Sequence, residues 1–250
     1  MSWASLPVAE QEEMDEVVAM LTEAAAQGHL DAQEVLADIY NFGEGVVMDK
    51  ERALELYRQA ALQGSADAHF NVGYLLDILR QDFDGAEAAY HVAIAANPGY
   101  ATAHYNLGNL LLQKERKDFD GAEAAYRAAI AADPGHAGAH NNLGILLKKE
   151  RKDIDGAEAA YRAAIAADPG YANAHSNLGI LLEERAQEIV VKSGGDLAVV
   201  AALYDECAQL WGVSKGLDHE WTKEARAKSR LIGRAHGRME SATLTGSMCL

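Results

Sequence analysis

A row of asparagines recurs through the middle of the chain and is the sequence feature best suited to binding chemistry. Its members are Asn71, Asn106, Asn142 and Asn177, which lie 35, 36 and 35 residues apart. A primary amide has two N–H donors and a carbonyl acceptor, so it can pair with a peptide bond in both directions. The row predicts a surface that holds an extended polypeptide by its backbone. The alternative is that a repeated sequence copies the residue without using it.

A second row consists of histidines, which are common metal ligands. Its members are His69, His104, His140 and His175. They occur once per repeat, so neighbouring rings are too far apart to share an ion through bonds of about 2 Å. We therefore interpret them as structural side chains and expect no metal site.

Residues that could catalyse a reaction form no recognisable pattern in this sequence. It contains no nucleophile elbow, no paired-carboxylate pattern and no metal-ligand motif. Gly43 and Gly45 lack the third glycine and the preceding strand of a phosphate loop, so we expect a structural turn there. Cys207 has no obvious base near it and is expected to be a buried spacer. We expect no catalytic residues, no cofactor and no enzymatic activity.

Four arginines recur every four residues near the C-terminus: Arg226, Arg230, Arg234 and Arg238. On a helix this spacing forms a cationic ridge that could bind an acidic partner, an anionic membrane or RNA. The alternative is a solvated face, or one that lies against the acidic body of its own chain. The lack of interleaved aromatic residues favours this second interpretation.

Composition limits the class of protein. The 250 residues carry a formal net charge of -16, which disfavours nucleic acid as the main partner. Two cysteines cannot form a disulfide framework and fit a reducing compartment. The start of the chain lacks the pattern of a signal peptide, and no apolar run is long enough to predict a membrane span. These features predict a soluble, cytoplasmic protein.

One block of sequence is written almost twice, and this repetition predicts the architecture. Residues 114–147 and 149–182 differ at four aligned positions: Phe119/Ile154, His136/Tyr171, Gly138/Asn173 and Asn141/Ser176. A looser copy spans residues 82–116. A period of about 35 residues predicts a solenoid, in which each unit buries its apolar face against its neighbours.

From Ala68 onward the units resemble the tetratricopeptide repeat (TPR) family. The resemblance depends on a repeated Leu-Gly pair, a later alanine followed four residues on by tyrosine, and a proline that ends the second helix. These are Val72-Gly73, Leu107-Gly108, Leu143-Gly144 and Leu178-Gly179; Ala86 with Tyr90, Ala122 with Tyr126 and Ala157 with Tyr161; and Pro98, Pro134 and Pro169. The resemblance implies an all-α protein, a right-handed α-α superhelix (solenoid) of antiparallel helix pairs. Glycine and alanine would let the helices approach closely, and tyrosine would fill the space between them.

The segment from Asp31 to Gly64 resembles a related type of unit, the Sel-one-like repeat. The matching residues are Ala32, Leu36, Tyr40, Gly43, Gly45, Val46, Asp49, Ala53, Tyr57, Ala60, Ala61 and Gly64. Ala37 stands where this family has a glycine.

These resemblances predict the domain organisation. We expect a leader at 1–14, Sel-one-like repeats at 15–67, tetratricopeptide repeats at 68–212 with the last one elongated, a capping helix at 213–240 and a disordered tail at 241–250. Asp15 and Gly28 are the predicted caps of the first helix. Asp196 is predicted to cap a helix that ends near Trp211.

The family resemblance also implies the function. In tetratricopeptide repeats the exposed face of each first helix lines a concave groove, so we expect a non-catalytic protein-protein interaction scaffold that binds an extended peptide segment. The asparagine row is similar to the ladder in the repeat superhelix of O-linked N-acetylglucosamine transferases. The expected peptide-binding residues are Asn71, Tyr74, Tyr105, Asn106, Asn109, Gln113, Asn142, Ile145 and Asn177.

Two other functions remain open from the sequence. The chain could be a substrate-recruiting array that works with a transferase-type enzyme. It could instead be an architectural linker that uses its convex face and its basic C-terminal helix. The sequence identifies neither the partner protein nor the oligomeric state.

Overall fold

The computed structural model describes residues 8–113, 116–193 and 196–246, and this part of the chain is helical with no β-strand. The helices are α1 (Val8–Ala26), α2 (Leu30–Phe42), α3 (Lys50–Ala61), α4 (Ala66–Leu75), α5 (Phe83–Ala96), α6 (Ala101–Leu111), α7 (Phe119–Ala132), α8 (Ala137–Leu146), α9 (Ile154–Ala167), α10 (Ala172–Ser193), α11 (Leu197–Lys215) and α12 (Glu220–Gly246). None of these helices has a stretch long and apolar enough to cross a bilayer.

The chain divides into two compact units, residues 1–133 and 134–250. In the first unit α2 packs on α3, α4 on α5 and α6 on α7, while α1 covers α2. In the second unit α8 packs on α9, α10 on α11, and α12 on α11. Short connections between consecutive helices make these pairs antiparallel.

A glycine facing a tyrosine ring sets the distance between the two helices of a pair. A methyl group added to Gly108 would lie 2.7 Å from Cε1 of Tyr126, and one added to Gly144 would lie 2.7 Å from Cε1 of Tyr161. Both tyrosines are fully buried. Any side chain at these glycines would therefore push the helices apart, as the sequence predicts.

The last pair uses a tryptophan in place of the tyrosine. A methyl group on Gly179 would lie 2.5 Å from Nε1 of Trp211, which is itself buried. This pair is also longer, because α10 has 22 residues and α11 has 19, compared with 10 in α8 and 14 in α9. The inserted residues lengthen both helices without displacing the contact between them.

The second helices of three repeats begin with the same aspartate cap. Asp82, Asp118 and Asp153 each accept a hydrogen bond from the backbone N–H of the glycine three residues later, at 3.0, 2.9 and 2.9 Å. A methyl group on that glycine would lie 2.5 Å or less from the capping carboxylate. The repeated Asp-x-x-Gly sequence is thus a helix cap in which glycine leaves room for the aspartate.

Two first helices end in a π-helical turn, which the sequence does not predict. These turns span Leu76–Arg80 and Leu147–Arg151. Each is followed by a residue with left-handed backbone, Gln81 with φ of 51° and Lys152 with φ of 57°. The left-handed residue reverses the chain before the next helix begins, a position that more often carries glycine.

Several predicted helix boundaries were wrong. Helix α1 begins at Val8 rather than at Asp15, because no helix-breaking residue follows Pro7 and the acidic side chains there favour a helix N-terminus. Residues 1–7 of the predicted leader lie outside the described residues. Helix α12 continues to Gly246, so residues 241–246 of the predicted disordered tail are helical, and 247–250 lie outside the described residues.

Other predicted turns and caps are confirmed. Gly28, Gly43 and Gly45 have left-handed backbone, with φ of 88°, 71° and 74°. Asp196 accepts a hydrogen bond from the backbone N–H of Ala198 at 2.9 Å, although α11 continues past Trp211 to Lys215.

Cys207 is a buried packing residue, as predicted. Its thiol donates a hydrogen bond to the carbonyl oxygen of Gly179 at 3.3 Å, which joins α11 to α10. Burial raises the pKa of this thiol to about 12, and the carboxylates of Glu183 and Glu206 add to the effect. The thiol therefore stays protonated at neutral pH.

Gly144→Ala tests the close approach of the helices. Overpacking a core position costs about 1–3 kcal/mol, which exceeds the gain of at most about 1 kcal/mol in helix propensity. We expect the free energy of unfolding, measured by urea titration with circular dichroism, to fall by about 1–2 kcal/mol. Gly233→Ala is the matched control, because a methyl group there meets nothing within 4 Å. Unchanged or increased stability of Gly144→Ala would contradict this packing.

The reactivity of Cys207 tests its burial. In a Cys249→Ser variant, Cys207 is the one remaining thiol. Because its pKa is raised from 9.0 to about 12, its thiolate population near neutral pH falls by about three orders of magnitude. We expect iodoacetamide to label the native protein at least about 100-fold more slowly than the urea-unfolded protein. Equal rates in the two states would show that the thiol is accessible.

Candidate functional site

The asparagine row lies on the first helix of four consecutive pairs. Asn71 is on α4 and Asn106 on α6 in the first unit, and Asn142 is on α8 and Asn177 on α10 in the second unit. All four side chains are half-buried. Each is followed directly by the buried residue of the Leu-Gly pair, so packing of that pair fixes the direction of the amide.

In the first unit, aromatic side chains accompany the amides. Tyr74 is 40% exposed. Tyr105 is half-buried, and its ring centroid lies 6.1 Å from that of Tyr126. The Asn71 amide forms no side-chain hydrogen bond within the described part of the chain. The unit therefore presents a surface of amide and aromatic groups.

Two of the predicted peptide-binding amides also hold buried tyrosine hydroxyls. Tyr126 donates to Oδ1 of Asn109 at 2.8 Å. Burial and the nearby Asp77 carboxylate raise the pKa of Tyr90, and a hydrogen bond from Asn106 lowers it part of the way back. A buried hydroxyl needs a partner, so these amides have a structural role that the sequence analysis missed.

In the second unit three amides form a hydrogen-bonded chain. Nδ2 of Asn177 donates to Oδ1 of Asn141 at 2.9 Å, and Nδ2 of Asn141 donates to Oδ1 of Asn142 at 3.1 Å. Asn141 is only 3% exposed. It connects the amides of two neighbouring first helices, a role the sequence analysis did not assign. The available signal was that Asn141 differs from its counterpart Ser176 in two otherwise nearly identical blocks.

Polar pairs connect neighbouring first helices. In the first unit Nε2 of Gln113 donates to Oδ1 of Asp77 at 2.9 Å. In the second unit Nζ of Lys148 lies 2.7 Å from Oε2 of Glu184. Gln113, predicted to bind peptide, thus helps to fix the spacing between first helices. Ile145 is half-buried on α8, in the helix that carries Asn142.

The histidine row is structural where its contacts are described. Nε2 of His104, His140 and His175 lies 3.1, 3.1 and 2.8 Å from the carbonyl oxygen of Pro98, Pro134 and Pro169, respectively. A carbonyl can only accept, so Nε2 carries the proton and donates it. Each ring therefore ties a first helix to the proline that ends the preceding helix, an arrangement that sequence spacing alone could not reveal.

A pocket of about 250 Å³ lies between α10, α11 and α12 in the second unit. Its lining consists of Ile180, Glu183, Trp211, Trp221, Glu224 and Ala225. Lys228 is within 3.0 Å of Glu183 and 2.8 Å of Glu224, and its ammonium lies 5.3 Å from the centre of the Tyr204 ring. Hydrogen bonds to Glu224 and Glu183 raise the pKa of Lys228. The positive charge of Lys228 thus balances the negative charge of the two carboxylates, and its contacts hold α12 against α10 and α11.

Comparison with known families identifies the repeats. A tetratricopeptide repeat model matches residues 79–137, 115–172 and 147–188. The exopolysaccharide production negative regulator of Rhizobium meliloti is 29% identical, over 40% of this chain and 43% of the regulator. The chain thus matches less than half the length of this curated relative.

Solved structures with a similar fold include both types of repeat protein. A Sel1 repeat protein from Oxalobacter formigenes is 22% identical and superposes with a TM-score of 0.58, over 92% of this chain and 99% of that one. A protective antigen of uropathogenic Escherichia coli with an SLR fold is 22% identical, with a TM-score of 0.57 over 90% of this chain and 58% of that one. The TPR protein YrrB, which has an unusual peptide-binding site, is 19% identical, with a TM-score of 0.57 over 83% of this chain and 97% of that one.

These matches confirm the predicted fold class, an all-α solenoid of helix pairs. Proteins of this fold act as interaction scaffolds, which agrees with the general function that the sequence predicts. Residues 79–188 match the tetratricopeptide repeat family, and the fold is similar to that of solved Sel1 repeat and SLR proteins.

Proposed function

We propose that this chain is a non-catalytic scaffold that binds an extended peptide segment of a partner protein on the surfaces that the first helices form in each unit. The observation that carries the proposal is the half-exposed amide at the same position of four consecutive first helices. An accessible amide at a fixed place in every repeat suits a ligand that also repeats, and a polypeptide backbone is such a ligand.

The dimensions of the repeat suit an extended peptide. Packed helices lie about 8–10 Å apart, which corresponds to about three residues of extended chain. Within one unit, amides on neighbouring first helices could therefore pair with peptide groups three residues apart. A primary amide can donate to a peptide carbonyl and accept from a peptide N–H, so it binds the peptide backbone whatever the peptide's side chains are.

Hydrogen bonds within the protein support this role rather than excluding it. The bond from Asn177 to Asn141 uses one of the two N–H groups of Asn177. An amide that is already held in one orientation loses less rotamer freedom when a ligand binds. The amide chain in the second unit would thus present a pre-oriented binding group.

Side-chain preference would come from the residues beside the amides. Tyr74 and Tyr105 in the first unit offer ring surface to apolar or aromatic side chains. Ile145 in the second unit offers an aliphatic contact. The net charge of -16 would attract a segment that also carries basic residues.

Asn71→Ala is the sharpest test of the amide grip, because this side chain forms no hydrogen bond within the described part of the protein. A peptide ligand would first be selected from a proteome-derived phage library and its dissociation constant measured by calorimetry. Loss of one backbone hydrogen bond, worth about 1 kcal/mol, should weaken binding about fivefold. Tyr74→Ala should weaken binding by a similar factor through lost ring contacts.

Asn173→Ala is the matched control, because Asn173 is an exposed amide on α10 outside the row. The Asn173→Ala variant should bind the peptide with the same affinity as the native protein. A peptide series with single N-methylated bonds should lose affinity at bonds about three residues apart. Unchanged affinity in Asn71→Ala and in every methylated peptide would contradict backbone recognition.

A further inference from the structure

The first and last helices of the described chain carry opposite charge. Helix α1 contains six acidic residues and no basic residue. Helix α12 contains six basic residues (Lys223, Arg226, Lys228, Arg230, Arg234 and Arg238) and three acidic ones. We infer that α12 of one copy docks on α1 of another, so that the protein self-associates head to tail.

Five exposed side chains of α12 form a mainly basic stripe with an apolar centre: Lys223, Ala227, Arg230, Leu231 and Arg234. Glu220 is exposed in the same arc, at the start of the helix, so the stripe carries three basic residues and one acidic residue. At 100° per residue these positions fall within about 100° of one another on the helix surface. Leu231 is 70% exposed. The opposite face of α12, which includes Thr222 and Ala225, is buried in its own unit.

Five of the exposed side chains of α1 form an acidic stripe that also includes apolar residues. They are Glu13, Glu16, Val17, Met20 and Glu23, which fall within about 120° of one another. Val17 is 40% and Met20 58% exposed. The stripes have similar lengths, about 15 Å on α1 and about 17 Å on α12.

The charges on these stripes are largely uncompensated. Within the described residues Arg230 and Arg234 form no ion pair, and neither do Glu13 and Glu16. Lys223 lies 3.5 Å from Asp218, with both side chains solvent-exposed. The unpaired charges of one stripe therefore complement those of the other, while Leu231 can pack on Val17 and Met20.

A second copy of the chain is the occupant that these features favour. Its α1 stripe offers opposite charge and apolar side chains at a spacing that matches the α12 stripe. An anionic bilayer or RNA could bind the arginines, but neither would account for the acidic stripe on α1. The contact joins two different surfaces, so each copy retains one unused stripe. Such heterologous contacts can continue from copy to copy.

Sedimentation velocity on paired charge-reversal variants tests this inference. At low ionic strength the native protein should show a sedimentation coefficient that rises with concentration. It should become monomeric at about 0.5 M salt, where charges are screened beyond about 4 Å. Glu13→Lys/Glu16→Lys and Arg230→Glu/Arg234→Glu should each weaken association at least about tenfold, because like charges then face each other.

Mixing the two variants gives the decisive result. Each variant now carries the same sign of net charge on both stripes, and this sign is opposite in the two variants, so the mixture should regain the association that each has lost. Glu55→Lys/Glu150→Lys is the matched control for Glu13→Lys/Glu16→Lys, because it changes net charge by the same amount at exposed positions outside both stripes. This control should associate like the native protein, and all variants should keep native helicity by circular dichroism.

Three results would overturn the inference. The native protein could remain monomeric at all concentrations and low salt, or the mixed variants could fail to associate. Alternatively, a monomeric native protein could bind phosphatidylserine vesicles or RNA through Arg230 and Arg234, which would assign the basic stripe to another partner. Peptide binding by the asparagine row involves neither stripe, so these outcomes leave the proposed function separately testable.

Discussion

The close contact between a glycine and an aromatic ring is the constraint on which each helix pair depends. The ring of Tyr126 occupies the space where a side chain on Gly108 would lie, and Trp211 does the same at Gly179. Because this contact fixes how the first helix is rotated, it also fixes which residues face away from the pair. Asn106, two residues before Gly108, lies about 200° around the helix from it.

The buried tyrosines also explain part of the polar chemistry on the surface. The tyrosine ring fills the space between the two helices of a pair, and its buried hydroxyl must then form a hydrogen bond. Tyr126 donates to Asn109, and Tyr57 donates to Asp38. Amides near the candidate site therefore both satisfy the core and remain half-exposed to a ligand. Packing and the proposed peptide binding would share these residues, so replacing them together should change stability as well as binding.

Features that are local and repeated could be predicted from the sequence. The 35-residue period, the Leu-Gly pairs and the proline terminators each encode one step of the same helix pair, so their agreement predicted the fold. The burial of Cys207 followed from its small size and the lack of any catalytic partner near it in the sequence. The helix caps at Asp196 and Gly28 followed from residue type alone.

Features that depend on tertiary neighbours could not be predicted. The buried link through Asn141, the pair formed by Gln113 and Asp77, and the contacts of the histidines with proline carbonyls each join residues that only the folded chain brings together. The π-helical turns also have no sequence signature, because they reflect how the end of a first helix meets the following one. The amide row was visible from spacing, but its half-buried environment was not.

Nuclear magnetic resonance of the asparagine side chains would test the central claim most directly. With the protein labelled with nitrogen-15 and the side-chain amide signals assigned by mutation, a bound peptide should shift the NH2 signals of Asn71, Asn106, Asn142 and Asn177. The signal of the exposed Asn173 should stay in place. Shifts confined to α12 or to other surfaces, with the four row signals unmoved, would contradict peptide recognition by the asparagine row.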